Sequence, residues 1–245
     1  MLMSHEFGTS IIIPCKDESG NLVPLVDAIV TILRPGDEIL IVEGGSADTT
    51  YFEALELQAA YPYQVRTIKQ SGKGKFDAVQ KGAESTGFDI VMIWDADATV
   101  NFEQNQQIYL HEDPKNALVT GDRLRGKRDK GAMRVANLIG NWAFAVFWVG
   151  ITRKSPIDLL CGTKKFPRVL LQSAPRWLLN LDPYGDFTLF AMARHNKIPI
   201  ISIPVHYHSR SFGKTNIHRW SGGIQLLRIT LAVYLSMGIK SLWKK

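Results

Sequence analysis

Ile90-Val91-Met92-Ile93-Trp94-Asp95-Ala96-Asp97 is the stretch that decides how this 245-residue chain is read. A short apolar run rich in Ile and Val ends abruptly in two carboxylates with one residue between them, which predicts a buried central strand. In an open α/β sheet the carboxyl ends of the strands open onto the ligand crevice. Asp95 and Asp97 would then lie on its floor, close enough to share one divalent cation. Carboxylate oxygens suit Mg²⁺ and Mn²⁺, hard ions that commonly also hold substrate phosphates. The plainer reading is a solvated acidic turn, and Asp-x-Asp alone does not separate the two.

The residues upstream favour the crevice. Thr9-Ser10-Ile11-Ile12-Ile13-Pro14 predicts a first strand, residues 38–42 a second and 64–68 a third. Leu22, Leu25, Val26, Ile29, Val30 and Leu33 recur at helical spacing between the first two. Further helices are predicted near 50–60 and 76–86. This alternation, with polar loops after the strands, predicts a mostly parallel α/β sheet flanked by helices. No repeat, linker or boundary interrupts it, so residues 1–245 are expected to form one domain. Gly72-Lys73-Gly74-Lys75 lacks the spacing of a phosphate-binding P-loop. No Gly-x-Gly-x-x-Gly follows the first strand, which argues against a dinucleotide fold.

Net charge is +6 and the pI near 9.3, so nucleotide diphosphates, lipid phosphates and nucleic acid all qualify as partners. Six Lys or Arg residues crowd into 123–134 (Arg123, Arg125, Lys127, Arg128, Lys130, Arg134). They predict a mobile basic loop, either closing over phosphates or simply solvated. No aromatic interleaving accompanies the charge, so nucleic acid is not an expected partner. Cys15 and Cys161 suggest no disulfide framework, in keeping with a reducing compartment, and no Cys/His cluster has zinc spacing. The first six residues lack the pattern of a secretory signal.

No segment is long and apolar enough to read confidently as a membrane span. Helices are predicted near 131–151, including the apolar run Trp142–Ile151, and near 217–242, where Gln225 and Arg228 interrupt the apolar residues. Each is either a core helix or an amphipathic helix lying in the lipid headgroup region. The second reading is preferred: Trp residues favour that boundary, Arg153-Lys154 follow the first helix, and Trp243-Lys244-Lys245 end the second. His206 and His208 alternate with Val205 and Tyr207 on a strand, and are read as structural or acceptor-lining rather than as metal ligands.

Several stretches together resemble a family 2 glycosyltransferase with the GT-A fold. Ile11-Ile12-Ile13-Pro14-Cys15-Lys16-Asp17-Glu18 is similar to that family's strand and Pro-x-x-x-Glu. Val42-Glu43-Gly44-Gly45-Ser46-Ala47-Asp48 resembles its Asp-Asp-Gly-Ser-x-Asp loop. Gly72-Lys73-Gly74, Gly82 and Asp95-Ala96-Asp97 follow in the expected order. Asp158 through Phe166 resembles its Asp-x-x-x-Gly-x-x-x-Phe segment, and Arg210 through Asn216 its Arg-x-x-Gly-x-Ser/Thr segment. The resemblance spans about residues 9–235 and is nearest to the dolichol-phosphate mannose synthase type, which transfers sugars to polyprenyl phosphates.

The resemblance implies a GT-A, Rossmann-like sheet with C-terminal amphipathic, membrane-facing helices. Residues 9–122 would bind a GDP- or UDP-sugar and 123–245 the acceptor. Pro14, Lys16 and Glu18 would line the nucleotide pocket, with Val42, Glu43 and Gly44 near the base or ribose. Lys73 and Lys214 would join the nucleotide-binding set. Asp95 and Ala96 would contact ribose and diphosphate, Asp97 with Asp95 would hold Mg²⁺ or Mn²⁺, and Arg123 and Arg210 would face the diphosphate or acceptor charge. The acceptor would be a polyprenyl phosphate, and the protein a peripheral one on the cytoplasmic membrane face, with a homo-oligomer allowed. Transfer to a sugar or lipid-glycan hydroxyl is the competing expectation, and it would need a general base. Asp186 is its candidate; otherwise Asp186 is a carboxylate stabilised by the helix dipole. A third expectation is a non-catalytic membrane-surface module. The sequence departs from the family at Lys16 (an aromatic), Gly44 (an acid) and Asn216 (often Lys).

Overall fold

The computed structural model of the protein describes residues 8–112, 116–209 and 219–237. Strands and helices alternate first: β1 (Thr9–Cys15), α1 (Leu22–Ile32), β2 (Glu38–Glu43), α2 (Thr50–Ala60), β3 (Val65–Lys69), α3 (Lys75–Ser85) and β4 (Ile90–Ile93). Then come α4 (Phe102–Leu110), β5 (Leu118–Asp122), α5 (Val135–Phe147), α6 (Val149–Thr152) and β6 (Lys164–Pro167). The chain continues through α7 (Val169–Gln172), α8 (Arg176–Leu181), α9 (Asp186–His195), β7 (Ile200–Pro204) and α10 (Arg219–Ser236). The strands make one seven-stranded sheet ordered β3-β2-β1-β4-β6-β5-β7. Only β6 runs against its neighbours β4 and β5.

Strand pleating divides the core. Ile12, Leu40, Val42 and Val91 point to the side holding Phe76 and Val79 of α3 and Phe187 and Phe190 of α9. Ile11, Ile13, Ile39, Ile41 and Met92 point to Leu22, Val26 and Ile29 of α1, Ala54 of α2 and Ile108 of α4. Both faces being covered, the inner strands read as unbroken apolar runs rather than alternating ones. Pro14, which has no N–H, is tolerated in central β1 because β4 pairs only as far as Ile12↔Ile93. Beyond that point β1 and β4 part, and the crevice begins.

The helix expected over 131–151 is two pieces. Residues 131–134 are a turn and bend, α5 starts at Val135, and Trp148 separates α5 from α6. Trp148 is fully buried; its indole N–H donates to Thr230 Oγ1 of α10 (3.0 Å) and its ring lies 4.6 Å from Phe187. The outward faces are apolar: Val135, Ile139, Trp142 and Phe147 on α5, and Ile224, Leu227, Leu231 and Leu235 on α10, are exposed. Among the described residues no helix is long and apolar enough to cross a membrane.

Candidate active site

All the strands except β6 end on one side of the sheet, and antiparallel β6 begins there. The loops after β1, β2, β3, β4, β5 and β7, with the loop entering β6, therefore gather along one edge. Asp95 and Asp97 lie there, immediately beyond β4, as the sequence predicts. Neither is turned into apolar packing: the Asp95 side chain is 25% exposed and Asp97 is half-buried.

Asp95 Oδ1 accepts a short hydrogen bond from Lys75 Nζ. Lys75 is the first residue of α3, and helical side chains lean back toward the N-terminus, which carries its ammonium to the strand end. The other Asp95 oxygen lies over Gly162, where any Cβ would overlap both that oxygen and the Lys75 ammonium. Burial would push the Asp95 carboxyl up. The ammonium of Lys75, followed by Lys164 and Arg123, outweighs burial and holds it below the ordinary carboxylate value. Burial would likewise lower the Lys75 pKa, but the carboxylates of Asp95, Asp186 and Asp97 keep it raised. Both groups are thus charged at neutral pH. Asp97 Oδ1 accepts from Thr99 N–H (3.1 Å) and Thr99 Oγ1 (2.8 Å), which fixes that carboxylate.

Asp186 opens α9 as expected, but it is not isolated. Fully buried Lys164 donates to Asp186 Oδ1 (2.6 Å) and to the Cys161 carbonyl. Asp186 thus supplies the counter-charge of a buried ammonium. Arg123, expected to face the diphosphate or the acceptor's charge, forks onto buried Asp158 (Nε–Oδ2 2.5 Å, Nη2–Oδ1 3.0 Å) and stacks 5.1 Å from the Tyr207 ring. Its charge reaches Asp95, but its donors serve the scaffold. The basic loop is tied down as well. Arg125 pairs with Asp122 (2.7 Å), and Arg128 donates to the Arg123 and Leu124 carbonyls, leaving Lys127, Lys130 and Arg134 exposed.

The expected nucleotide pocket is brought together in part. Half-buried Pro14 and exposed Lys16 lie where β1 ends, and Glu18 follows, accepting from Asn21 Nδ2 (2.8 Å). The Val42 side chain does not line a pocket: strand parity buries it completely against the α3 side of the core. Ala96 is likewise packed with Trp94 and Val100, so only its backbone remains available. Glu43 is buried and closes its own loop by accepting from Ser46 N–H (2.5 Å). At Gly44 a Cβ would lie 2.9 Å from Gln70 Oε1 and 3.3 Å from Lys16 Cβ, so a side chain there would require Gln70 to move aside. Lys73 is exposed in the loop before α3. Arg210 and Lys214 lie outside the described residues.

Two carboxylates one residue apart at the strand-end edge of the sheet are an oxygen-only donor set, and they fit a hard divalent cation. Lys75, Asp158, Gly162 and Lys164 were not singled out as site residues. Lys75 had a signal, since the loop Gly72-Lys73-Gly74-Lys75 holds two lysines and the second begins a helix.

The model of glycosyl transferase family 2 matches residues 10–170. A dolichyl-phosphate beta-glucosyltransferase (ALG5C) of Trichomonas vaginalis is 24% identical over 257 residues, covering 96% of this chain and 73% of that protein. A poly-beta-1,6-N-acetyl-D-glucosamine synthase of Staphylococcus epidermidis is 27% identical over 125 residues, 49% of this chain but only 30% of the synthase. Among solved structures, glucosyl-3-phosphoglycerate synthase of Mycobacterium tuberculosis with UDP superposes with a TM-score of 0.66 at 17% identity, over 92% of this chain and 79% of that one. The same enzyme with Mn²⁺, UDP and glucosyl-3-phosphoglycerate gives 0.62 at 16% identity, over 94% and 79%.

Proposed function

Because the chain belongs to glycosyl transferase family 2, we propose that it moves a sugar from a GDP- or UDP-sugar to a polyprenyl phosphate, with inversion at the anomeric carbon. The observation that carries this reading is the charged cluster at the sheet's carboxyl edge: Asp95 and Asp97 one residue apart, with the Lys75 ammonium on Asp95. Asp97, oriented by Thr99, and Asp95 would hold Mg²⁺ or Mn²⁺. The cation would supply Lewis-acid stabilisation of the departing nucleoside diphosphate. Lys75 adds a fixed positive charge beside the same carboxylates, and Gly162 leaves them space. Arg210 and Lys214 are the proposed contacts for the remaining phosphate charge. UDP in the structural neighbours makes UDP-sugars the first donors to try.

A phosphate acceptor is the reading that the Asp186 environment supports. Such an acceptor is already anionic and needs no general base. Asp186, the candidate base for a hydroxyl acceptor, is paired with the buried Lys164 ammonium. The dolichyl-phosphate relative, matched over 96% of this chain, points the same way. The adjoining outward faces of α5 and α10, rich in exposed apolar side chains, would seat the protein on the membrane that holds such a lipid. The test is a panel of nucleotide sugars with Mn²⁺, read by thermal shift, followed by transfer from the stabilising donor onto a short polyprenyl phosphate. Stabilisation by one donor and product formation on the phosphate are expected. Transfer only to sugar hydroxyls would overturn the acceptor assignment.

A further inference from the structure

After β7 the chain runs on as a short ribbon strand bonded on both sides. The Asn101 N–H donates to the His206 carbonyl (3.2 Å) and the His208 N–H to the Thr99 carbonyl (2.8 Å). On the opposite side, the Tyr207 N–H donates to the Lys127 carbonyl (2.9 Å) and the Asp129 N–H to the Tyr207 carbonyl (3.0 Å). Extended backbone sends alternate side chains to opposite faces. Tyr207 goes one way, onto the Arg123 guanidinium. His206 and His208 go the other, with ring centroids 4.1 Å apart. Asp129, from the adjoining segment, meets both: Oδ1 is 2.7 Å from His206 Nε2 and Oδ2 is 2.8 Å from His208 Nδ1.

The geometry points to a second metal site, in which Asp129, His206 and His208 bind a divalent transition ion of the Zn²⁺ class. Their ligand atoms all lie within 4.8 Å of one another. Two imidazole nitrogens and a carboxylate oxygen suit Zn²⁺, whereas the all-oxygen pair Asp95 and Asp97 suits Mg²⁺ or Mn²⁺. The two sites thus select different ions. Tetrahedral donors at zinc bond lengths stand roughly 3.4 Å apart, so the two carboxylate–imidazole contacts of 2.7 and 2.8 Å must open by roughly half an ångström on loading. The side chains can make that adjustment, being 29%, 34% and 41% exposed for His206, His208 and Asp129. Three protein ligands leave the fourth position to water. The ion would tie the loop bearing Arg123 to the segment that follows β7, and so hold Arg123 against Tyr207. A spacing of 77 residues between Asp129 and His206 is why the sequence reads these histidines as structural.

The test uses the full chain, stripped of metal with chelator. It is titrated with Zn²⁺ by calorimetry and with Co²⁺ by visible absorption, as wild type and as Asp97→Asn, Asp129→Asn, His206→Gln and His208→Gln. One equivalent of Zn²⁺ and an intense tetrahedral Co²⁺ band are expected for wild type and for Asp97→Asn. Affinity should fall by about tenfold or more in each of the other three. These partly exposed substitutions should leave the metal-free melting temperature unchanged, which separates ligand loss from misfolding. Absence of saturable Zn²⁺ binding, loss of it in Asp97→Asn, or wild-type affinity in Asp129→Asn would each overturn the assignment. Sugar transfer can survive all of these results, so failure here leaves the proposed function standing.

Discussion

Gly162→Ala is the substitution that separates the site from the fold. The new Cβ would lie 2.7 Å from Asp95 Cγ, against an ordinary contact of 3.4–4 Å, and closer still to Asp95 Oδ2 and the Lys75 ammonium. The carboxylate must therefore retreat by roughly 1 Å, taking the Lys75 pair with it. A misplacement of about 1 Å in a reacting constellation costs about 100-fold in rate, which is about 2.7 kcal/mol of transition-state stabilisation. Gly140 is the control, since a Cβ there meets nothing within 4 Å and the residue lies inside α5. Gly140→Ala should raise stability by up to about 1 kcal/mol, or roughly 2–4 °C in Tm, with turnover unchanged. The assay is kcat/KM for Mn²⁺-dependent transfer from a nucleotide sugar, with Tm measured alongside. Wild-type turnover by Gly162→Ala would refute the claim that Asp95 must sit where it does.

The remaining predictions concern the acceptor, the membrane and pH. Asp186→Asn should keep most of the transfer to a phosphate acceptor; a loss of a thousandfold or more, as expected for removal of a general base, ~10²–10⁴-fold, would return the hydroxyl reading. Replacing exposed Trp142 and Phe147 on α5 by Ser should lower partition onto anionic vesicles by roughly tenfold or more, since each buried aromatic is worth about 1.5–3 kcal/mol. Unchanged sedimentation with vesicles would remove that face from the account. Lys165 has its pKa lowered from 10.5 to about 8 by burial, although its Nζ donates to the Tyr109 (2.6 Å) and His111 (3.1 Å) carbonyls. Between pH 8 and 10.5 the unfolded chain holds this proton and the folded chain has released it, so the contribution of Lys165 to stability should rise with pH across that window. The full gain is about 3 kcal/mol. The Cys15 and Cys161 thiols, both pushed up by burial, pull the opposite way above pH 9, and Tyr109, pushed up to about 12 by burial, does so above pH 10. Measured at pH 8, 9 and 10, the denaturant midpoint of wild type should gain on that of Lys165→Met, because the thiols and Tyr109 pull both curves down alike.

Much of the fold was legible because its signals are local. The apolar runs of β1, β2 and β4 and the spacing of Leu22, Leu25, Val26 and Ile29 announce elements whose burial the structure repeats. The acid pair was legible because a strand's end fixes where the next side chains go. Strand β6 was not: four residues beginning with two buried lysines invert the pattern that marks a strand. Its antiparallel entry is what brings Asp158, Gly162 and Lys164 to the site. The burial of the Val42 side chain was not legible because the loop it precedes reads as a binding motif, while the pleat that turns that side chain into the core depends on register with β1. The Arg123 ion pair was hidden for a related reason. Its partner Asp158 is 35 residues away, and charge counted along a sequence does not reveal which cations already have carboxylates.

Asp97→Asn, assayed for transfer to polyprenyl phosphate over a range of Mn²⁺ concentrations, tests the central claim most directly. The account predicts turnover lower by orders of magnitude at saturating donor, with Tm and far-UV dichroism unchanged. Wild-type transfer with an unaltered Mn²⁺ dependence would contradict it.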